Sequence, residues 1–422
     1  MAAMAREPSE ELQEPLLGRS RSSSSFFGEG SLVSSVVLLC AAAIGTGVLA
    51  LPYGVSVVGM IPAMLLFALA GIAAYASNVI LFRCVHKTGL GSYGELMVGI
   101  LGRYGAMTLD ALVWIEGLGA VATYLVFIMD YVPQVCALWG EDAWCTDRMN
   151  ILAAASAIIW PLSCLRGLSA LRYTSTCSIL TVLLTSLVVI VKAPGCFART
   201  GRGLGEAVRE TRLSMDAFQV LTMACFAFMN HTNSPEIALR LRSPSRKRFT
   251  RVVGVQTVLL WLVYCAIAGC GFLSFLERTR PDFLTNYELR DAAVVVCRVS
   301  LSWTLIFACP LNSFPAMQSL FNILEQFRGE GPKSASLYDT AYVRVPATTA
   351  CFALTVWVAV KTPTVADLIS VVCAFFSSPL MFAFPAIMYV RILGRRDYAL
   401  PAALVALTVA LWVAETLRLL RA

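Results

Sequence analysis

Two short stretches of this chain combine residues suited to holding a small charged molecule. One is Gly45-Thr46-Gly47, followed by Leu51-Pro52-Tyr53; the other is Asn230-His231-Thr232-Asn233-Ser234-Pro235-Glu236. Glycine lets a backbone approach a ligand closely. A half-helix that begins at such a break points its positive end at an anionic group such as a carboxylate. In the second stretch Pro235 removes a backbone donor, and five polar side chains in a row precede it. Glu236 has two readings: a carboxylic acid desolvated beside a cavity can carry a proton, and an acid four residues before Arg240 suits an ion pair on a helix face. Alone, the glycine motif fits close helix packing equally well. It is the pairing of the two breaks that favours a site.

Both breaks interrupt apolar runs. The chain has 422 residues, 58% hydrophobic and 14% charged, with mean hydropathy +0.73. Eleven candidate spans lie near 31–56, 59–82, 106–138, 150–165, 171–193, 214–239, 252–276, 291–321, 344–361, 365–391 and 398–420, many reaching the roughly 20 residues a spanning helix needs. This describes an all-α, polytopic membrane protein in a lipid bilayer. Residues 1–30, Ser-rich and without an apolar core, are expected to form a disordered cytosolic tail, with residues 31–422 as the transmembrane domain. Broken backbone at membrane depth survives only against protein or a water-filled cavity, so the two breaks imply a site near mid-membrane.

Net charge is +7, but the Arg residues sit in short loops, which speaks for topology rather than nucleic-acid binding. With the N-terminus in the cytosol, most Lys and Arg fall on the cytosolic side. The segment Arg240, Arg242, Arg246, Lys247, Arg248, Arg251 supplies six of them. The outer loop with Arg199, Arg202, Arg209 and Arg212 goes against the rule. Thr232 lies 186 residues beyond Thr46. Five spans separate the breaks, so the second half enters with inverted orientation, as in a five-plus-five inverted repeat with one extra helix.

Other candidates are fewer. Asp110 and Asp130 belong near the ends of span three, where solvation is cheap, whereas Glu116 is deeper and functionally plausible. Arg298 is expected to pair with an acid such as Asp291, in a structural role. Cys309-Pro310-Leu311-Asn312-Ser313-Phe314-Pro315 holds two prolines that free carbonyls toward a cavity. Cys145 and Cys196 fall in outer loops and are the pair best placed for a disulfide, with two free thiols as the alternative. No metal-ligand spacing, cofactor motif or nucleophile–base pair appears, so neither a cofactor nor an enzyme activity is expected.

These motifs, in this order, resemble the sodium-coupled neutral amino acid transporters of the amino acid/auxin permease superfamily. The match runs through Gly45-Thr46-Gly47 with Leu51-Pro52-Tyr53, Gly119-Ala120 to Tyr124-Leu125 with Asp130 and Pro133, and Leu171-Arg172-Tyr173-Thr174-Ser175. It continues in Phe226 to Thr232 with Ser243-Pro244-Ser245-Arg246-Lys247-Arg248, Gly271-Phe272-Leu273-Ser274-Phe275, Arg298, Pro310 with Pro315, and Pro363 to Leu368. The resemblance implies a leucine-transporter-type fold of eleven helices with helices 1 and 6 broken. It also implies a small neutral amino acid substrate carried by alternating access. The substrate's amino and carboxylate groups would then meet Gly45, Thr46, Gly47 and the unwound part of span six: Phe228, Asn230, His231 and Thr232. Phe226, Phe228, Met229 and Tyr124 would shape the side-chain pocket.

The chain departs from that family where sodium would bind. Sodium-using members carry an Asn four residues before the first glycine and a Thr two residues before the first proline of span eight; here these are Ala41 and Ala308. Each change removes a side-chain oxygen that Thr304 or Ser313 replaces only in part. Sodium dependence is therefore expected to be weak or absent, with proton coupling through Glu236 or uniport as the options. The alternatives kept open are a proton-coupled organellar exporter and an amino acid sensor signalling to a cytosolic partner. Plasma membrane and endolysosomal or vacuolar membrane are equally compatible with the sequence.

Overall fold

The computed structural model describes residues 30–140, 143–165, 172–212, 215–243, 245–328, 340–394 and 398–421. The expected tail, bar Gly30, and Leu171 and Pro244 of the motifs quoted above lie outside the described residues, as do the side chains of Thr46 and of residues 172–176. All the regular structure among the described residues is helical.

The chain runs α1 (Leu32–Ala43), a 3-10 turn (Thr46–Ala50), α2 (Leu51–Val58), α3 (Met60–Thr88), α4 (Tyr93–Cys136), α5 (Arg148–Ser163), α6 (Arg172–Ala198) and α7 (Leu204–Arg209). It continues as α8 (Ala217–Ala227), α9 (Ser234–Arg240), α10 (Arg246–Phe275), α11 (Ala292–Arg328) and α12 (Ala341–Lys361). A last pair of rods follows. The first comprises α13 (Val365–Val372), π turns and α14 (Phe384–Met388), and the second is α15 (Ala399–Leu419). Eight helices among the described residues are long and apolar enough to cross a membrane, or nine if α1 and the segment Gly47–Val58, bent by 59°, form one span. The fourth expected span keeps its length, α5 having 16 residues, whereas the sixth is divided between α8, with 11, and α9, with 7.

Local chemistry sets the helix ends. Ser31 caps α1 by accepting from the Ser34 amide at 3.1 Å. Ser92 and Glu95 form a reciprocal capping box at the start of α4, satisfying two amides that helix geometry leaves orphaned. Ser245 caps α10 and Asp147 caps α5. Gly59 has φ +93°, and a Cβ there would stand 2.1 Å from the Glu210 carbonyl oxygen. Only glycine therefore fits between α2 and α3.

Packing between spans relies on small residues, because lipid tails are as apolar as leucine and burial alone cannot drive helices together. α4 and α11 run side by side and meet closely at Gly117: a Cβ there would lie 2.7 Å from the Ala316 Cβ. Gly271 of α10 meets Pro52 of α2, and Gly119 of α4 meets Val372 of α13. Large apolar side chains on the outer surfaces, such as Leu65, Ile72, Val191 and Trp357, are exposed, as a lipid-facing surface requires.

The loop that broke the charge rule is largely neutralised. Arg202 pairs with Glu277 at 2.7 Å and Glu210 at 3.2 Å, Arg212 pairs with Glu210 and with Glu277 at 3.1 Å, and Arg199 meets Glu288 at 3.5 Å. The hydrogen bond from Arg212 holds the Glu210 carboxyl below the usual range.

Two sequence expectations are corrected here. The disulfide joins Cys136 to Cys145, with Cα atoms 5.7 Å apart, and Cys196 is a free thiol. Cys136 is the last residue of α4, and the return of the chain over nine residues brings Cys145 within disulfide reach. Arg298 does not pair with Asp291, which binds Lys192 at 2.6 Å. Arg298 is buried, and its Nη2 donates to the carbonyls of Leu284 and Tyr287 at 2.9 Å each.

Candidate functional site

α1 stops at Ala43 because the chain turns extended at Ile44 and Gly45 (φ −139°, ψ −164°) before the 3-10 turn. A side chain on Gly45 would enter open space, whereas on Gly47 it would press on the Phe226 ring at 2.9 Å. α8 stops at Ala227, and α9 resumes only at Ser234, with Pro235 in its first turn. Proline is favoured there because its missing N–H costs nothing. The loosened segment forms local turns, with the Asn233 and Ser234 amides both donating to the Asn230 carbonyl at 3.1 Å.

A cavity of about 470 Å³ lies where the two breaks meet α4 and α11. Gly45 and Gly47 line it from the first break, and Phe226, Met229, Thr232 and Asn233 from the second. The opposite wall carries Glu116, Gly117 and Tyr124 of α4 with Asn312 and Pro315 of α11. Polar groups therefore occupy two sides: the glycine backbone with Thr232 and Asn233 on one, Glu116 and Asn312 on the other. Phe226, Met229, Tyr124, Val113 and Ala120 supply apolar surface between them. A zwitterion with a modest side chain fits this pattern of few polar anchors in an apolar pocket.

Of the residues expected to bind substrate, Gly45, Gly47 and Thr232 line the cavity. Phe228, Asn230 and His231 do not; they are buried behind it. Phe228 packs edge-on against Tyr264 with ring centroids 5.1 Å apart. The Asn230 Oδ1 accepts from Asn78 Nδ2 at 3.0 Å, and its Nδ2 donates to the Leu39 carbonyl at 3.3 Å. Ser234 donates to Asn78 Oδ1 at 2.5 Å. The His231 Nε2 meets the Ser77 hydroxyl at 2.7 Å. These groups hold the unwound segment against α3. The physical need is plain, since every loosened polar group at this depth must find a protein partner.

The most telling support comes from Tyr264 of α10. Its hydroxyl donates to the Ala227 carbonyl at 2.6 Å and lies 3.4 Å from the Ala43 carbonyl. Those are the last carbonyls of the two interrupted helices, so one side chain ties the breaks together. Sequence reasoning missed Tyr264, Asn78 and Ser77, which sit in ordinary apolar helices and carry no local signal. It named Glu116 only as plausible, and Asn312 and Asn233 only within longer motifs.

The residues expected to assist an ion fall elsewhere. Glu236 is exposed and pairs with Arg240 at 2.6 Å, which decides between its two readings in favour of the surface ion pair. Thr304 is buried, and its hydroxyl donates to the Leu301 carbonyl in its own helix at 2.9 Å. Ser313 lines a separate small void with Ser163, Thr348 and Thr355. None of the three lines the central cavity.

Comparison with known proteins agrees with this architecture. Residues 28–415 match the family model described as transmembrane amino acid transporter protein. The chain is 28% identical over 320 residues to a putative amino acid transporter AAT1 of Toxoplasma gondii, covering 73% of this chain and 44% of that one. It is 23% identical over 322 residues to the AAT1 of Plasmodium berghei, covering 75% and 51%. It is also 24% identical over 378 residues to human sodium-coupled neutral amino acid transporter 7, covering 86% and 80%. The chain thus spans about half the length of the two AAT1 proteins and about four fifths of the human one. Together, a family match across nearly the whole chain and two broken helices facing one cavity identify it as an integral, multi-pass member of the transmembrane amino acid transporter family, within the amino acid/auxin permease superfamily.

Proposed function

We propose that this protein carries neutral amino acids across its membrane by alternating access, with the substrate held in the cavity between the two breaks. The observation that carries the reading is the meeting of both interrupted helices at one cavity, with glycine backbone on one side and apolar side chains around it. The substrate carboxylate would meet the Gly45–Gly47 backbone at the start of the half-helix containing α2, where the helix dipole favours an anion. Its ammonium would meet oxygens of the unwound segment between α8 and α9, and Phe226, Met229 and Tyr124 would receive its side chain. Eleven spans in a five-plus-five inverted repeat, with the N-terminus in the cytosol, remain part of this proposal.

Sodium is not required in this reading. Ala41 and Ala308 bring no side-chain oxygen where sodium-using relatives have them, the Thr304 hydroxyl donates within its own helix, and Ser313 lines a separate void away from the cavity. The test is uptake of a labelled amino acid panel into proteoliposomes with sodium replaced by choline. Uptake should persist essentially unchanged for at least one uncharged amino acid. A large loss on replacement would refute sodium independence, and no exchange with any amino acid would refute the transporter reading itself.

A further inference from the structure

Glu116 stands alone in the cavity wall. It is the one acid among the lining residues, and none of them is Lys, Arg or His. Among the described residues no hydrogen bond or ion pair reaches its carboxylate. Its surroundings offer little that titrates. Tyr124 shares its helix and lines the same cavity. The Cys373 thiol faces it from the π turn after α13. The α11 wall presents Asn312, Pro315 and Ala316, and the two breaks present Gly45, Thr232 and Asn233. On α5 the only charged residue is Arg148, which pairs with Asp130 at 2.6 Å. On α12 the charged residues are Arg344, which donates to the Cys164 carbonyl, and Lys361, in the last turn.

An ionised carboxylate at membrane depth is costly without a partner, and this one has none in the wall. Two chemistries neutralise it: a proton, or a cation brought by the substrate. The cavity favours the first. Val113, Ala120, Phe226 and Met229 make the walls apolar, which suits an uncharged side chain. A zwitterion brings no net charge to balance the acid. We propose that Glu116 is the coupling-ion site of this transporter, taking up one proton from the more acidic side with each neutral amino acid and releasing it on the other. In this step the carboxylate gains a proton from hydronium to become a carboxylic acid, water is left behind, and the reverse occurs after the cavity reopens. By reciprocity, a proton that favours substrate binding must itself bind more tightly when substrate is present. The inference rests on the amino acid transporter reading and replaces Glu236 as the acid that carries the proton.

The experiment uses the full chain in proteoliposomes, with an internal pH dye and labelled substrate. Counterflow at equal pH reports binding and exchange, and uptake driven by a pH step reports coupling. With one proton per substrate, a step of two pH units can support up to about 100-fold accumulation, each tenfold ratio being worth ~1.4 kcal/mol. Wild type should acidify the lumen when an uncharged amino acid enters. Relative to whatever counterflow it retains, Glu116→Gln should lose both the substrate-driven proton signal and the pH-driven accumulation. Glu116→Asp should retain part of both, which separates coupling from misfolding. Glu236→Gln should behave as wild type. The proposal is overturned if wild type exchanges substrate without moving protons, or if Glu116→Gln still moves them. It is also overturned if wild type prefers cationic amino acids and Glu116→Gln loses only those. If wild type exchanges no amino acid at all, the transporter reading fails and this inference falls with it.

Discussion

Replacing Gly117 tests a close helix contact in the cavity wall. A Cβ added there would lie 2.7 Å from the Ala316 Cβ and 3.2 Å from the Asn312 carbonyl oxygen. Carbon atoms attract best at about 3.5–4.0 Å, so α4 and α11 would have to separate by about 1 Å. Both colliding groups are fixed to helix backbones, and no rotamer change relieves them. Overpacking of this kind costs about 1–3 kcal/mol. Alanine regains up to about 1 kcal/mol of helix propensity over glycine, leaving a net loss of roughly 0–2 kcal/mol for Gly117→Ala. The assay is the apparent melting temperature in detergent at a fixed scan rate, since unfolding of such proteins is commonly irreversible, alongside uptake. Because Gly117 and Asn312 line the cavity, uptake should fall several-fold even where the melting shift is small. The decisive variant is Gly117→Ala combined with Ala316→Gly, which removes the colliding Cβ. Residues in contact couple by about 0.5–3 kcal/mol, so the pair should recover stability and uptake beyond what the single variants predict. If the two changes simply add, the two residues do not press on one another and the reasoning fails.

Further predictions concern the support of the breaks and the loop before α11. Tyr264→Phe leaves the Ala227 carbonyl without its 2.6 Å donor; an unsatisfied buried acceptor costs about 1–3 kcal/mol, so the melting temperature and uptake should both drop, and an unchanged variant would show that the hydroxyl does not hold the breaks. Asp282, buried in the loop before α11, has its pKa raised well above the usual carboxylate range by burial and by the nearby Asp130, against the pull of Arg298. Its folded pKa exceeds its unfolded one, so its contribution to stability is full at low pH and is lost as pH rises through the folded value. Asp282→Asn should therefore flatten the decline of melting temperature with rising pH; a parallel profile displaced downward would contradict this assignment.

Much of this architecture is legible in the residues because its signals are local. Gly45-Thr46-Gly47 and Asn230 to Glu236 announce breaks through backbone chemistry that needs no neighbour: glycine admits unusual approach, proline removes a donor, and a polar run cannot face lipid. Long apolar runs likewise declare helices, since satisfying the backbone in a bilayer leaves few alternatives. Tertiary structure decided which side chains of the broken segment turn toward the cavity. An unwound stretch has no 3.6-residue period to assign its faces, so Thr232 lines the cavity while Asn230 and His231 turn to Asn78 and Ser77. The same holds for Glu116 within a helix apolar all round, and for Cys145, whose partner depends on the path of a loop. Sequence alone determined that the first and sixth apolar runs break. Only the packing of α3, α4, α10 and α11 around those breaks decided which acid faces the cavity between them, because rotation about a helix axis is set by contacts between helices.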